Sequence, residues 1–185
     1  MSKVVIFNGS PRKKGAISQI LDEISKGASE AGVDVVTYNL NEPGIKSCQP
    51  CMYCKKKQDF CCQNDYLKPM YQDIASADTI VFGSPIYMYR MSAQAKTWMD
   101  RLYPMVDYNH TPLYPGKKVL TVFSQGSPIE SSFSDEFNYI KNIFTVMGWE
   151  EIDRLLYTGA APNLYPAEVS SELLERAFNA GKKLA

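Results

Sequence analysis

The stretch "KVVIFNGSPRKKGAISQI", residues 3–20, sets the fold. Val4-Val5-Ile6-Phe7 is an unbroken apolar run, the pattern of a strand covered on both faces. "NGSPRKKG" breaks it with Gly, Pro and Ser, the residues of a turn. Ile17, Ile20, Leu21, Ile24 and Ala28 then recur at helical spacing until Gly32. A buried strand, a tight turn and an amphipathic helix make the opening unit of a parallel sheet. The turn itself, "GSPRKKGAIS" (9–18), lies at a helix N-terminus, where free N–H groups and the helix dipole favour an anion. Ser10 and Ser18 offer hydroxyls there, and Arg12 a planar fork suited to phosphate. It is neither the triphosphate loop G-x-x-x-x-G-K-[ST] nor G-x-G-x-x-G. An ordinary solvated turn is the alternative reading.

The rest of the chain repeats that grammar. Val33–Tyr38 reads as a second strand, Thr79–Gly83 as a third, Lys118–Ser124 as a fourth and Ile152–Tyr157 as a fifth. Helices are predicted from Asn64 or Asp65 to Ser76, Ser92 to Tyr103, Phe133 to Met147 and Glu168 to Leu184. Strands alternating with helices predict an α/β fold, a doubly wound parallel sheet with helices on both faces. No repeat or linker divides the chain, so residues 1–185 are read as one domain with a Cys-rich loop at about 43–64. A chain of 185 residues buries roughly 70% of its unfolded surface without disulfides. Its 20 Lys and Arg balance 20 Asp and Glu, which argues against a nucleic-acid partner. It holds no apolar run long enough to span a membrane and no signal-peptide pattern, so the expectation is a cytoplasmic protein without a membrane partner. Ligands of such sheets bind beyond the carboxyl ends of the strands.

At that edge, "GSPIYMYRMSAQAKTWMDR" (83–101) places Ile86, Tyr87, Met88, Tyr89 and Met91 in one loop. Flat and flexible apolar groups there suit a planar heterocycle, or equally an interface between subunits. "GSPR" after strand one, "C-x-x-C-x-x-C" after strand two and "SPIYMYRMSAQAKTWMDR" after strand three, taken together over most of residues 3–160, resemble the NADPH-dependent FMN reductase family of flavodoxin-like proteins. The resemblance implies a five-stranded sheet in the order 2-1-3-4-5, a homodimer or homotetramer, and FMN with its phosphate on the first turn. Carried over by position, Ser10, Arg12 and Ser18 would hold the phosphate, and Pro85, Ile86, Tyr87 and Met88 would border the flavin ring. The turn Ser124-Gln125-Gly126-Ser127 would approach from the other side, Ser124 and Gly126 included among the contacts. Many relatives carry Asn-Thr where this chain has Ala16-Ile17, so direct side-chain bonds to phosphate are lost and weaker FMN binding is implied.

All five cysteines fall in "CQPCMYCKKKQDFCC", residues 48–62. In a reducing compartment such a cluster is metal-binding or catalytic rather than a disulfide framework. The spacing C-x2-C-x2-C-x6-C places four thiolates as a [4Fe–4S] cluster uses them. The iron–sulfur flavoproteins, a branch of the same family, look similar here, which implies Cys48, Cys51, Cys54 and Cys61 as ligands with Cys62 as spare or substitute. Zinc, a redox disulfide and thiols that bind nothing are the competing readings. Lys55, Lys56 and Lys57 would stabilise a thiolate or an anionic cluster alike.

Other candidates read as structural. His110, the single histidine, sits in a polar loop; Asp100-Arg101 reads as an ion pair at a helix end or dimer contact; Trp98 and Trp149 read as core or interface. The functional expectation is an oxidoreductase whose chemistry belongs to the flavin rather than to a catalytic side chain. Electrons would pass from NAD(P)H through FMN to a quinone, free flavin, small aromatic or redox-protein acceptor. The alternatives are an iron–sulfur flavoprotein, a flavodoxin-like carrier that does not turn over NAD(P)H, and a flavin- or redox-sensing binding protein.

Overall fold

Alternate residues of each central strand feed opposite faces of the sheet, which explains the continuous apolar runs. In the computed structural model, which describes residues 2–161 and 163–185, β1 spans Lys3–Asn8. Its Val5 and Phe7 enter one core while Val4 and Ile6 enter the other. The next parallel strands are β2 (Asp34–Asn39) and β3 (Thr79–Tyr87). A two-residue strand, β4 (Arg90–Met91), folds back antiparallel on β3, and β5 (Lys118–Ser124) and β6 (Glu150–Tyr157) complete the set. The parallel strands lie in the order β2-β1-β3-β5-β6, with β4 off that path. Counted without β4, this is the order 2-1-3-4-5.

Helix α1 (Ala16–Glu30) buries Ile17, Ile20, Leu21 and Ile24 against one face. The opposite face is covered in chain order by α3 (Met70–Ser76), α4 (Ala93–Arg101) and α5 (Ser134–Val146), after a short α2 (Tyr53–Lys57) in the cysteine loop. Phe7, Phe82, Trp98, Phe123, Phe137 and Phe144 form an aromatic core there. The last helix, α6 (Ser171–Lys182), packs beside α1 at two glycines. A Cβ on Gly27 would lie 2.0 Å from the Phe178 carbonyl oxygen, and one on Gly181 would lie 2.1 Å from that of Ile24. Backbone meets backbone at this crossing, and only glycine permits it.

Several boundaries differ from the sequence reading. The helix expected from Asn64 or Asp65 begins only at Met70. The Asp65 carboxylate accepts the Leu67 N–H (3.1 Å) inside a turn and is otherwise held by Arg101 and the Lys46 N–H, while Pro69 precedes the first helical residue. The pairing expected within Asp100-Arg101 does not form. Arg101 reaches Asp65 at 2.6 Å, and Asp100 pairs with Lys96 one turn earlier at 2.5 Å. Neighbouring helix positions point some 100° apart, so adjacent opposite charges rarely face each other. Trp98 and Trp149 are both core residues, and His110 is exposed. Among the described residues no helix is long and apolar enough to cross a membrane.

Candidate functional site

The sheet order reverses between β1 and β3, and the turn after β1 docks there. The Gly9 N–H bonds the Gly83 carbonyl at 2.7 Å. A Cβ on Gly9 would stand 2.8 Å from that oxygen and 2.9 Å from Ala95 Cβ, so the turn needs glycine to sit this close. Ser92 completes the joint. Its hydroxyl donates to the Gly9 carbonyl (2.6 Å) and accepts the Ala95 N–H (3.1 Å), capping α4. The Ser92 N–H in turn donates to the Ser84 hydroxyl (3.0 Å).

Beyond this joint lies a cleft of about 280 Å3 at the carboxyl ends of the strands. Ser10 and Arg12 line one end with Gly15, Ala16 and Ile17. No side chain caps α1 at Gly15 and no acidic residue stands in its first turn, which leaves a 15-residue helix presenting N–H groups to the cleft. Pro85, Ile86 and Tyr87 form one wall, and Ser124, Gln125 and Gly126 form another. Tyr157 at the end of β6 and Ala160, Ala161, Leu164 and Ala167 from the segment after it close the site.

Seven of the nine flavin-site candidates therefore meet in one cleft. Ser18 and Met88 do not. The buried Ser18 hydroxyl donates to the Arg12 carbonyl (3.0 Å) and accepts from Asn8 Nδ2 (3.0 Å), so it shapes the turn from within. Met88 sits at the tip of the β3–β4 hairpin and is 91% exposed. Met88 and Tyr89 have φ of 45° and 68°, the left-handed pair that a two-residue hairpin demands and that usually selects Asn-Gly. Glu136, almost fully buried, holds this strained hairpin by accepting the Met91 N–H (2.9 Å) and Arg90 Nη1 (2.7 Å). Glu136 was missed from sequence, since nothing local marks a carboxylate 46 residues from its partner. Gln125 was named only as part of the turn that the resemblance places beside the ring, and Tyr157 was visible only as the end of a predicted strand. The Gln125 amide donates to the Ser127 (3.1 Å) and Ile129 (2.6 Å) carbonyls, which turns its Oε1 inward, buried and without a partner.

The cysteines lie elsewhere. All five line a second, much smaller cavity of about 20 Å3, together with Asp100, Arg101, Tyr103 and Pro104. Cys48, Cys54 and Cys61 are half-buried, while Cys51 and Cys62 are exposed with their Sγ atoms 3.9 Å apart. Burial and the neighbouring sulfurs push the Cys48 thiol up, and burial likewise pushes Cys54 up. The Tyr53 backbone N–H draws the Cys51 thiol down. Of the three lysines expected to serve these sulfurs, Lys55 opposes the upward push of burial on Cys54 by its charge and its backbone N–H, yet its ammonium is committed elsewhere. Its ammonium is buried, donates to the Tyr103 (2.6 Å) and Val106 (2.5 Å) carbonyls and lies over the Tyr103 ring. It anchors α2 to the chain beyond α4. Among the described residues no three Cys, His, Asp or Glu side chains are gathered closely enough to hold a single metal ion.

Comparison with known proteins agrees with this architecture. The chain is 28% identical over 186 residues to an iron-sulfur flavoprotein of Archaeoglobus fulgidus, covering 99% of this chain and 79% of that one. It is 32% identical over 102 residues to an iron-sulfur flavoprotein of Methanocaldococcus jannaschii, covering 54% of this chain and half of the other. The solved NAD(P)H:quinone oxidoreductase of Methanothermobacter marburgensis superposes with a TM-score of 0.74 at 19% identity, covering all of this chain and 99% of that one. Residues 2–148 match the sequence profile of the NADPH-dependent FMN reductases, and the chain belongs to that family.

Proposed function

We propose that the protein is an FMN-dependent oxidoreductase that takes electrons from NAD(P)H and passes them to a small-molecule or redox-protein acceptor. The observation that carries this reading is the single cleft at the switch point. It joins an uncapped helix N-terminus, Ser10 and Arg12 at one end to the apolar Pro85–Tyr87 wall at the other. An anionic end and a flat apolar body are what a flavin mononucleotide presents, so the residues present fit that group. Ser10, Arg12 and the first N–H groups of α1 would hold the phosphate. Pro85, Ile86 and Tyr87 would border the ring, opposed by Ser124, Gln125 and Gly126. Bound FMN would supply the hydride and electron chemistry, and no amino-acid acid or base is required for it. The protein's part is to orient the ring, exclude water from the apolar wall and leave the remaining side open to donor and acceptor. The test is anaerobic addition of NADH or NADPH to the FMN-loaded protein. Loss of the flavin's visible absorption supports the reductase; bleaching by dithionite alone would leave an electron carrier.

A second element is favoured by the convergence of all five thiols on one cavity and by the names of the relatives. Cys48, Cys51 and Cys54, with Cys61 or Cys62, would hold a [4Fe–4S] cluster, which transfers single electrons. The donor set suits that group. The cavity has room for about one water, so the loop would have to open to admit it. Iron and acid-labile sulfide, assayed on protein purified without oxygen, decide the matter.

A further inference from the structure

The turn after β1 carries Arg12, Lys13 and Lys14, yet only Arg12 lines the cleft. Ala16 and Ile17 at the start of α1 offer no polar side-chain atom, so the anion end relies on backbone N–H groups, Ser10 and this one guanidinium. A side chain as flexible as arginine binds well only when its orientation is settled beforehand. What settles it is the segment after β6. The Arg12 guanidinium lies 5.0 Å from the centroid of the Tyr165 ring, and Nη2 donates to the Leu164 carbonyl at 3.5 Å. The Tyr165 hydroxyl is itself gripped by the Lys14 N–H (3.2 Å). The Ala167 N–H donates to the Lys14 carbonyl (3.0 Å), and Gln19 Nε2 donates to the Ala167 carbonyl (2.8 Å). Segment and turn are thus bonded on both sides of the ring, although more than 150 residues apart.

We propose that Tyr165 is a positioning residue that presets Arg12 for the phosphate of the bound ligand, so that affinity for a phosphorylated flavin depends on a residue beyond the part of the chain shared with the family profile. The inference rests on the flavin reading above. Tyr165 is half exposed, which marks it as a poor core residue whose contacts are with the turn after β1, its ring with Arg12 and its hydroxyl with the Lys14 N–H.

The test is a double-mutant cycle of Y165A and R12Q, with the dissociation constants of FMN and riboflavin measured on the apo-protein by fluorescence titration. Riboflavin lacks the phosphate and so reports everything except the Arg12 contact. Y165A is expected to weaken FMN roughly two- to fivefold, the worth of a partly exposed cation–π contact, and to leave riboflavin unchanged. R12Q should cost FMN more, and the double variant no more than R12Q alone. Y165F, which keeps the ring, should restore FMN binding to near the wild-type value. Equal weakening of both flavins by Y165A, or losses that add in the double variant, would overturn the inference while leaving the flavin reading of the cleft standing. Wild-type protein that bound neither flavin would overturn the flavin reading, and this inference with it.

Discussion

Replacing Arg101 with methionine should be among the most damaging single changes outside the apolar core. Its side chain is fully buried and makes four bonds: to Asp65 at 2.6 and 3.2 Å, to the Lys46 carbonyl at 2.8 Å and to the Tyr71 hydroxyl at 3.0 Å. Asp65 is equally buried and also accepts the Lys46 and Leu67 N–H groups at 3.1 Å each. R101M leaves a carboxylate with no counterion in the interior, a defect worth about 3–5 kcal/mol. D65N leaves the guanidinium in the same position and should cost a similar amount. The double variant R101M/D65N removes both charges, and replacing a whole buried pair is often close to neutral. It should therefore cost about 2–3 kcal/mol less than the sum of the singles. Urea unfolding of the four proteins reads this directly. Losses that simply add, or an R101M cost below about 1 kcal/mol, would refute the claim that this pair fastens the start of the cysteine loop to α4.

The glycine crossing gives a second expectation. G27A or G181A forces a methyl onto a backbone carbonyl, so each should exceed the usual overpacking cost and remove about 3 kcal/mol, a fall of about 6–12 °C in Tm by calorimetry. E136A deprives the buried Met91 N–H of its acceptor, for about 1–3 kcal/mol. It should also speed tryptic cleavage after Arg90 as the left-handed turn at Met88–Tyr89 relaxes. Acid should unfold the protein partly through Asp65 and Asp73. Burial raises both carboxyls, but Arg101 with two backbone N–H groups at Asp65, and Lys3 with the Tyr38 hydroxyl at Asp73, outweigh it and hold both below the usual range. Their folded pKa values lie below the unfolded ones, so the stability they add is complete above about pH 4 and lost as pH falls further. D73N should flatten that acid slope in an unfolding titration, and an unchanged slope would exclude Asp73 from it.

Local patterns were legible in the sequence, and distant polar partners were not. The apolar run Val4–Phe7 and the helical repeat from Ile17 to Ala28 were read correctly because each is fixed by its own periodicity. The edge that carries the cleft followed from strand ends, and Ser10 and Arg12 from the turn there, whereas Pro85 and Gly126 were named through the family resemblance. Arg101 was paired with its neighbour in sequence because its true partner lies 36 residues away across a turn. Glu136 and Tyr165 carry no local signal at all; one looks like a surface residue of an amphipathic helix, the other like a loop tyrosine. Lys55 was read only as a charge beside the thiols, and its two carbonyl partners were as invisible as the other distant contacts, although its stem is long enough to bury the ammonium against them.

That same distinction separates the two candidate sites. No cysteine lines the flavin cleft. The cleft is joined to the N-terminal end of α4 through Ser92, and the thiol cavity abuts its C-terminal end at Asp100 and Arg101. A helix of nine residues spans about 14 Å, so in a single chain the two sites are mechanically distinct. Within one chain the thiols therefore do not cover this cleft. In that chain α4 links the thiol cavity to the cleft, and its N-terminal end is pinned by the Ser92 bonds to Gly9 and Ala95. Serine at Cys48 and Cys51 should accordingly leave the FMN dissociation constant unchanged while abolishing any iron content. A parallel loss of both would mean that the cysteine loop reaches the flavin by a route absent from the folded single chain, such as the cleft of a second copy.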